Sequence, residues 1–128
     1  MKTQNPLRNQ EGFTLVEIIA VLIILGILAA VAVPRYIDLE SSAKIRAIDA
    51  AVAELNGRES LIWADVKISG TTGYSDDTSV TGHTDYSTDL GPDYSWSGSD
   101  LTFKGDTFTL SRIASDRNKP AVWKRTGP

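Results

Sequence analysis

The chain has 128 residues, with 13 Lys and Arg against 16 Asp and Glu and a formal net charge of -3. It contains no Cys, which excludes disulfides, thiolate metal sites, iron-sulfur clusters and covalent c-type haem attachment. Its length is too short for a large enzyme core, and its acidic balance gives no broad basic surface for nucleic acid.

The N-terminal third is dominated by an apolar stretch. Phe13 to Val33 comprises 21 residues with a single charge, Glu17. As a helix this stretch spans roughly 32 Å, against roughly 30 Å of bilayer hydrocarbon. Lys2 and Arg8 precede it and favour a cytoplasmic N-terminus, which sends residues 35–128 across the membrane. The pattern predicts one membrane-spanning helix.

Glu17 is the unusual residue of this stretch. An ionised side chain inside lipid costs at least roughly 2.5 kcal/mol, so Glu17 should have a partner or lie close to an interface.

The segment Gly12-Phe13-Thr14-Leu15-Val16-Glu17, with the basic leader before it and the apolar run behind it, resembles the processing signature of type IV prepilins and pseudopilins. The resemblance covers about residues 8–40. It implies that a membrane peptidase cuts between Gly12 and Phe13 and methylates Phe13, and that Phe13 and Glu17 serve filament assembly. The new ammonium would lie one helical turn from Glu17 and within reach of Glu17 of a neighbouring copy, and pairing the two charges would favour helix stacking and set its register. Removing residues 1–12 would leave 11 basic and 15 acidic side chains, a balance of -4.

The same resemblance implies the partners and the location. The partners are further copies of the chain in a helical filament, prepilin peptidase, the inner-membrane assembly platform with its ATPase machinery, and inner-membrane lipid before assembly. The chain would begin as a single-pass protein of the bacterial inner membrane with a periplasmic head. It would end in a periplasmic or extracellular filament.

Two simpler interpretations remain open. An ordinary secretory signal could end at Ala30-Val31-Ala32, which would make Val33 rather than Phe13 the mature N-terminus. The apolar run could also be a plain membrane anchor. That interpretation leaves Glu17 unexplained.

We expect an α+β fold of three parts: a cleaved leader (1–12), a long helix (13–64, with its transmembrane half at 13–33), and an antiparallel β-sheet head (65–128). Gly26 and Pro34 weaken the helix, and two outcomes stay open: a gentle kink at the membrane surface, or the local unwinding in the filament that the family resemblance implies. Asn56-Gly57 weakens the helical pattern and is a candidate end or interruption, while the apolar residues 61–63 are what extends the predicted helix to about residue 64. The apolar stripe predicted to pack on the sheet consists of Ile45, Ile48, Val52, Leu55 and Ile62.

Alternating apolar residues predict a three-stranded meander over about residues 94–111. Two-residue turns at Gly98-Ser99 and Gly105-Asp106 would put six side chains on one face. In that register Trp96 faces Leu101 and Leu101 faces Leu110, while Tyr94 faces Phe103 and Phe103 faces Phe108. Ala121-Val122-Trp123, which follows Pro120, is predicted to add an edge strand.

The head offers few candidates for chemistry. Seven aspartates lie between Asp76 and Asp106 without recognisable ligand spacing, so we expect no cofactor and keep a structural calcium ion as an alternative. His83 is the only histidine, and we expect it in an exposed loop. No motif places catalytic residues, and we expect no enzymatic activity. The acidic segment 65–111 and the basic segment 112–128 should meet within one head or between neighbouring heads.

These observations favour a structural filament subunit. By resemblance the filament is a type IV pilus, used for adhesion, motility or DNA uptake, or the pseudopilus of a type II secretion system that exports proteins. A membrane-anchored periplasmic binding module is the alternative from another class.

Overall fold

The computed structural model describes residues 14–69 and 73–127. It confirms an α+β fold with a long N-terminal helix and a small antiparallel sheet. The chain divides into two compact units, Met1–Ser41 and Ser42–Pro128. The elements in chain order are α1 (Leu15–Ile68), α2 (Thr78–Thr81), β1 (Tyr94–Ser97), β2 (Asp100–Phe103), β3 (Asp106–Ile113) and β4 (Val122–Arg125).

Helix α1 begins after Thr14, whose Oγ1 accepts a hydrogen bond from the Glu17 backbone N–H at 3.3 Å. This contact has the form of an N-cap, which satisfies one of the free donors of the first turn. The helix passes through Asn56-Gly57 without interruption and ends at Ile68, beyond the predicted residue 64. Ile62 and Val66, which follow Gly57 in the helix, are buried. Their burial outweighs the roughly 1 kcal/mol that a glycine costs within a helix.

The buried face of α1 confirms three positions of the predicted stripe, Ile48, Leu55 and Ile62. Val52 is half-buried, and the prediction for Ile45 is wrong because its side chain is 37% exposed. The packed region starts at Ile48, the first fully buried residue of the helix. The complete buried face is Ile48, Ala51, Leu55, Glu59, Ile62 and Val66, and it includes a carboxylate that was not predicted.

The sheet has the order β1-β2-β3-β4, and every pair is antiparallel. The first hairpin confirms the predicted register, with Tyr94 opposite Phe103 and Trp96 opposite Leu101. The fourth strand confirms an edge strand after Pro120.

The register between β2 and β3 differs from the prediction by two residues. Leu101 lies opposite Phe108 and Phe103 lies opposite Asp106, so the turn residues are Lys104 and Gly105. Both have positive φ, 47° and 87°. A type I′ turn requires this at both central residues, and its twist matches that of the flanking strands. Since side chains alternate with period two, a shift of two keeps the predicted side chains on the same face.

The head has two apolar clusters. One joins the middle of α1 to the sheet through Ile48, Ala51, Leu55, Leu101, Phe108 and Leu110. The second joins the end of α1 to α2 through Ile62, Val66 and Val80. Glu59 lies on α1 between the residues that supply the two clusters.

Candidate functional site

The N-terminal part of α1 presents a continuous apolar surface. An 18-residue window of this helix has a mean hydropathy of 3.0, and none of it is buried. The helix is long and apolar enough to cross a membrane. The large apolar side chains from Leu15 to Val33 are between 47% and 76% exposed, and they are Leu15, Val16, Ile18, Ile19, Val21, Leu22, Ile23, Ile24, Leu25, Ile27, Leu28, Val31 and Val33. So large an apolar surface requires lipid or other protein as its environment.

Glu17 lies in the first turn of this apolar helix. Its side chain borders a shallow hollow of about 240 Å³ lined otherwise by Ile18, Val21 and Leu22. No side chain from Ile18 to Pro34 can donate a hydrogen bond. A partner for the carboxylate must therefore come from outside this run of the helix.

The other predicted residues of this region stay predictions. Gly12 and Phe13, the leader cleavage and methylation positions, lie outside the described residues. Gly26 and Pro34 both lie within the continuous helix. A Cβ added at Gly26 would meet no atom within 4 Å.

A buried ion cluster in the head was not predicted from the sequence. Glu59 is 2% exposed, and Arg112 lies between it and Asp77. Arg112 Nε donates to Glu59 Oε1 at 2.6 Å and its Nη2 donates to Glu59 Oε2 at 3.1 Å. Toward Asp77, Nη1 donates to Oδ2 at 2.6 Å and Nη2 donates to Oδ1 at 2.9 Å. One guanidinium thus binds two carboxylates, each through two oxygens.

Neutral donors complete the cluster. The Tyr86 hydroxyl and Trp123 Nε1 donate to Glu59 Oε1 at 3.1 Å and 3.0 Å. The backbone N–H and hydroxyl of Ser115 donate to Asp77 Oδ1 at 2.8 Å and 2.7 Å. In the described part of the chain, no buried side-chain nitrogen or oxygen lacks a partner. The cluster therefore ties α1, β3 and β4 to the segment before the sheet, which carries Asp77 and Tyr86, and to the β3–β4 loop, which carries Ser115.

The electrostatics of the cluster follow from this geometry. Hydrogen bonds from Arg112 lower the pKa of Asp77 from 3.8 to about 2, with a further contribution from Ser115. Burial alone would lower the pKa of Arg112, but its bonds to Glu59 and Asp77 raise that pKa above its ordinary value. Burial, together with the nearby Glu59 charge, raises the pKa of Tyr86. All three groups keep their ordinary charge at neutral pH, so the cluster is a structural contact.

Two features of the sequence could have indicated this cluster. Glu59 follows Leu55 by four residues and precedes Ile62 by three, so it occupies a position on the apolar stripe of the helix. Arg112 follows Leu110 by two residues and so points to the same inward face of its strand. An acidic and a basic residue at two such positions are candidates for a buried ion pair.

Aspartates of the segment 76–106 make contacts in separate parts of the head. Asp76 Oδ1 accepts the Thr78 N–H, Asp89 accepts the Gly91 N–H, Asp100 accepts the Thr109 hydroxyl, and Asp106 pairs with Lys44. Among residues 14–69 and 73–127, no group of three or more His, Asp or Glu side chains is arranged to hold a metal ion. Asp77 and Arg112, one from the acidic and one from the basic segment, meet within the head.

His83 differs from the expectation of an exposed side chain, since only 24% of its side chain is exposed. Its Nε2 lies 3.1 Å from Asp65 Oδ2 on α1. Its Nδ1 accepts the Asp85 backbone N–H at 3.3 Å. Both ring nitrogens are therefore engaged in local contacts that hold the loop against the helix.

Comparison with known proteins places these features in context. Residues 7–33 match the family described as the prokaryotic N-terminal methylation motif. The chain is 35% identical over 107 residues to the type IV narrow pilus major component PilA5 of Thermus thermophilus, covering 84% of this chain and 91% of that protein. No solved structure matches the chain significantly.

Two relatives from Pseudomonas aeruginosa match shorter stretches. The type II secretion system core protein G is 53% identical over 38 residues, which is 30% of this chain and 27% of that protein. A fimbrial protein is 40% identical over 57 residues, which is 44% of this chain and 37% of that protein.

Proposed function

This chain belongs to the type IV pilin and pseudopilin family, and from that membership we propose that it is the structural subunit of a helical filament assembled from the inner membrane. The observation that carries the proposal is the exposed apolar surface of α1 with Glu17 in its first turn. Lipid covers this surface before assembly. Neighbouring copies of the same helix cover it afterwards.

Processing prepares the subunit for assembly. Prepilin peptidase cuts between Gly12 and Phe13 and methylates the new amino group of Phe13. The amino group carries a positive charge, and Glu17 of an adjacent copy is its counterion in the filament. This pairing removes two unpaired charges from an apolar environment, which favours stacking in a single register. The assembly platform and its ATPase extract the subunit, whose head is periplasmic before assembly.

The pilus is our first choice of filament because the similarity to PilA5 extends over 84% of this chain. A major pseudopilin of a type II secretion system is the second candidate. It is favoured by the 53% identity to core protein G, although that match covers only 30% of the chain. We propose no catalytic role for either filament, and we propose that the head folds without a cofactor.

The experiment compares two substitutions that each remove one carboxylate from α1. Glu17→Ala is the test variant, and Asp38→Ala is the control. Both variants should insert in the membrane and be processed, which immunoblotting of membranes and sequencing of the mature N-terminus would establish. Glu17→Ala should reduce the amount of subunit in sheared filaments by about tenfold or more, the equivalent of about 1.4 kcal/mol. Asp38→Ala should assemble normally.

Two results would overturn the proposal. One is normal incorporation of Glu17→Ala into filaments. The other is a native mature protein that begins at a residue other than Phe13. A deletion strain distinguishes the two filaments, because loss of surface fibres identifies a pilus and loss of secreted cargo identifies a pseudopilus.

A further inference from the structure

One edge of the sheet is surrounded by carboxylates. Strand β1 forms this edge, and β4 forms the opposite one. Asp93 directly precedes β1, and Asp100 lies opposite Ser97, the last residue of β1. Asp89 follows Thr88, whose carbonyl accepts a hydrogen bond from the indole N–H of the β1 tryptophan at 3.0 Å. We call Asp89, Asp93 and Asp100 the acidic edge.

The opposite edge of the sheet is basic. Lys124 and Arg125 lie in β4, and Arg117 and Lys119 lie in the loop between β3 and β4. All four side chains are exposed, and we call them the basic edge. Three strand spacings, roughly 14 Å, separate β1 from β4. Exposed charges this far apart are largely screened from each other, since the Debye length is about 10 Å at 0.1 M salt.

The acidic edge has no cationic partner in the described part of the head. Asp89 Oδ1 accepts the Gly91 N–H at 2.9 Å, and Asp100 Oδ1 accepts the Thr109 hydroxyl at 2.8 Å. Both of these donors are neutral, and Asp93 is exposed. None of the ion pairs within residues 14–69 and 73–127 includes a carboxylate of the acidic edge. These carboxylates are therefore available to cations outside the head.

Two cations of the basic edge are in the same position. The edge's other two cations pair within the head, one with Asp116 at 3.7 Å and one with Asp49 at 3.2 Å. Arg117 and Lys124 form no ion pair with any carboxylate in the two described ranges of the chain. The sheet thus has unpaired negative charge at one edge and unpaired positive charge at the other.

The charges determine which edges of two copies can meet. Two acidic edges repel each other, as do two basic edges, whereas an acidic and a basic edge attract. This contact uses a different surface on each copy, so it can repeat from copy to copy as a helical filament requires. At β4, Asn56 already binds the N–H and the carbonyl of Trp123. The contact is therefore made by side chains, without strand pairing at that residue.

We propose that neighbouring heads in the filament lie side by side, with the acidic edge of one copy against the basic edge of the next. This inference rests on the proposed filament and adds a second contact to the stacking of the N-terminal helices. Exposed ion pairs contribute little free energy, so the contact chiefly fixes the orientation of the heads. Both edges belong to the unit Ser42–Pro128.

The test is crosslinking between subunits, which the absence of native Cys makes specific. Ser95→Cys in β1 and Asn118→Cys beside Arg117 place one thiol at each edge, and both positions are exposed. All edge charges stay in place. Sheared filaments of the double variant are treated with a flexible bismaleimide and separated on a denaturing gel. We expect a ladder of dimers, trimers and longer products, whereas each single variant should remain monomeric.

A charge reversal in the double-Cys chain tests whether charge holds the edges together. Lys124→Glu places a carboxylate beside Arg117, which cancels the unpaired positive charge of the basic edge. The crosslinked fraction should fall about fivefold or more. Lys104→Glu is the matched control, because it changes the net charge equally, is exposed in the β2–β3 turn and belongs to neither edge. It should leave the crosslinked fraction unchanged.

Three results would overturn this inference while the filament itself stands. They are filaments of the double-Cys chain that give no ladder, dimers from either single variant, and equal crosslinking of the Lys124→Glu and Lys104→Glu chains. Absence of filaments from the unmodified chain would overturn the proposed function as well, so the two failures are distinguishable.

Discussion

The side-chain amide of Asn56 pairs with both backbone groups of Trp123. Its Oδ1 accepts the Trp123 N–H at 2.6 Å, and its Nδ2 donates to the Trp123 carbonyl at 3.2 Å. Trp123 lies opposite Arg112 in β4, the edge strand of the sheet. An edge strand exposes unpaired backbone groups that can recruit another chain. Asn56 of the helix satisfies two of these groups, much as a further strand would.

Asn56→Asp should destabilise the head by about 1–3 kcal/mol, because it replaces a donor with a carboxylate oxygen facing the Trp123 carbonyl. Denaturant unfolding of the purified chain, followed by tryptophan fluorescence, measures the change. Asn118→Asp is the control, since Asn118 is exposed and should tolerate the substitution. Equal stability of the two variants would contradict the role of Asn56.

Arg112→Met should destabilise the head by about 3–5 kcal/mol, because it leaves Glu59 buried without its cation and close to a second carboxylate. The free energy of unfolding from the same denaturant titration is the measurement. Arg125→Met is the control, since Arg125 pairs with Asp49, whose side chain is 56% exposed. Exposed pairs contribute about 0–1 kcal/mol. A loss for Arg112→Met no larger than for the control would show that the cluster is not stabilising.

The free energy of unfolding of the head should depend on pH through the titration of Asp77. Its pKa is about 2 in the folded head, against an ordinary value of 3.8, so the unfolded chain takes up the proton more readily. The stabilisation is complete above about pH 4 and is lost as the pH falls toward 2. Because the carboxylate is partly exposed to screening solvent, we expect a loss of about 1–2 kcal/mol.

Unfolding titrations between pH 6 and 2 would test this dependence. Asp77→Asn should remove the part of the pH dependence that Asp77 supplies. Asp76 and Asp116 also have lowered pKa values, owing chiefly to hydrogen bonds from Thr78 and from the Asn118 backbone. Their contribution should persist in the variant. Identical pH profiles for the two proteins would exclude Asp77 as the titrating group.

Two glycine-to-alanine substitutions should change the stability of the head in opposite directions. Gly105 has a φ of 87° in the β2–β3 turn, so Gly105→Ala should destabilise the head by about 1 kcal/mol or more. Gly57 lies within α1, and an added Cβ would meet no atom within 4 Å. Gly57→Ala should stabilise the head by about 0.5–1 kcal/mol. Thermal midpoints measured side by side would test the pair, and the same sign for both would contradict it.

Removal of calcium should leave the thermal midpoint unchanged, because the aspartates of segment 76–106 make contacts in separate parts of the head. The thermal midpoint is measured from melting curves, first with a calcium chelator and again after excess calcium is restored. A midpoint that falls with chelator and recovers with calcium would establish a metal site.

The parts of the head that sequence predicted well depend on local patterns. The Gly98-Ser99 turn and the alternation on either side of it determine the first hairpin. Alternation could not determine the second register, because a shift of two residues leaves the same side chains on the inner face. The positive φ of Lys104 and Gly105 distinguishes the two registers. The specific polar contacts between distant positions were not predicted, as the sequence separation of 67 between Asn56 and Trp123 illustrates.

The loop between β3 and β4 is held to α1 and to Asp77 by hydrogen bonds. Trp63 Nε1 donates to the Asp116 carbonyl at 2.9 Å, Lys67 donates to the Arg117 carbonyl, and Ser115 binds Asp77 of the ion cluster. Since the sequence has no cysteine, closing this segment needs no thiol oxidation. The head should therefore reach its folded form without oxidoreductase enzymes, and reducing agents should leave it intact.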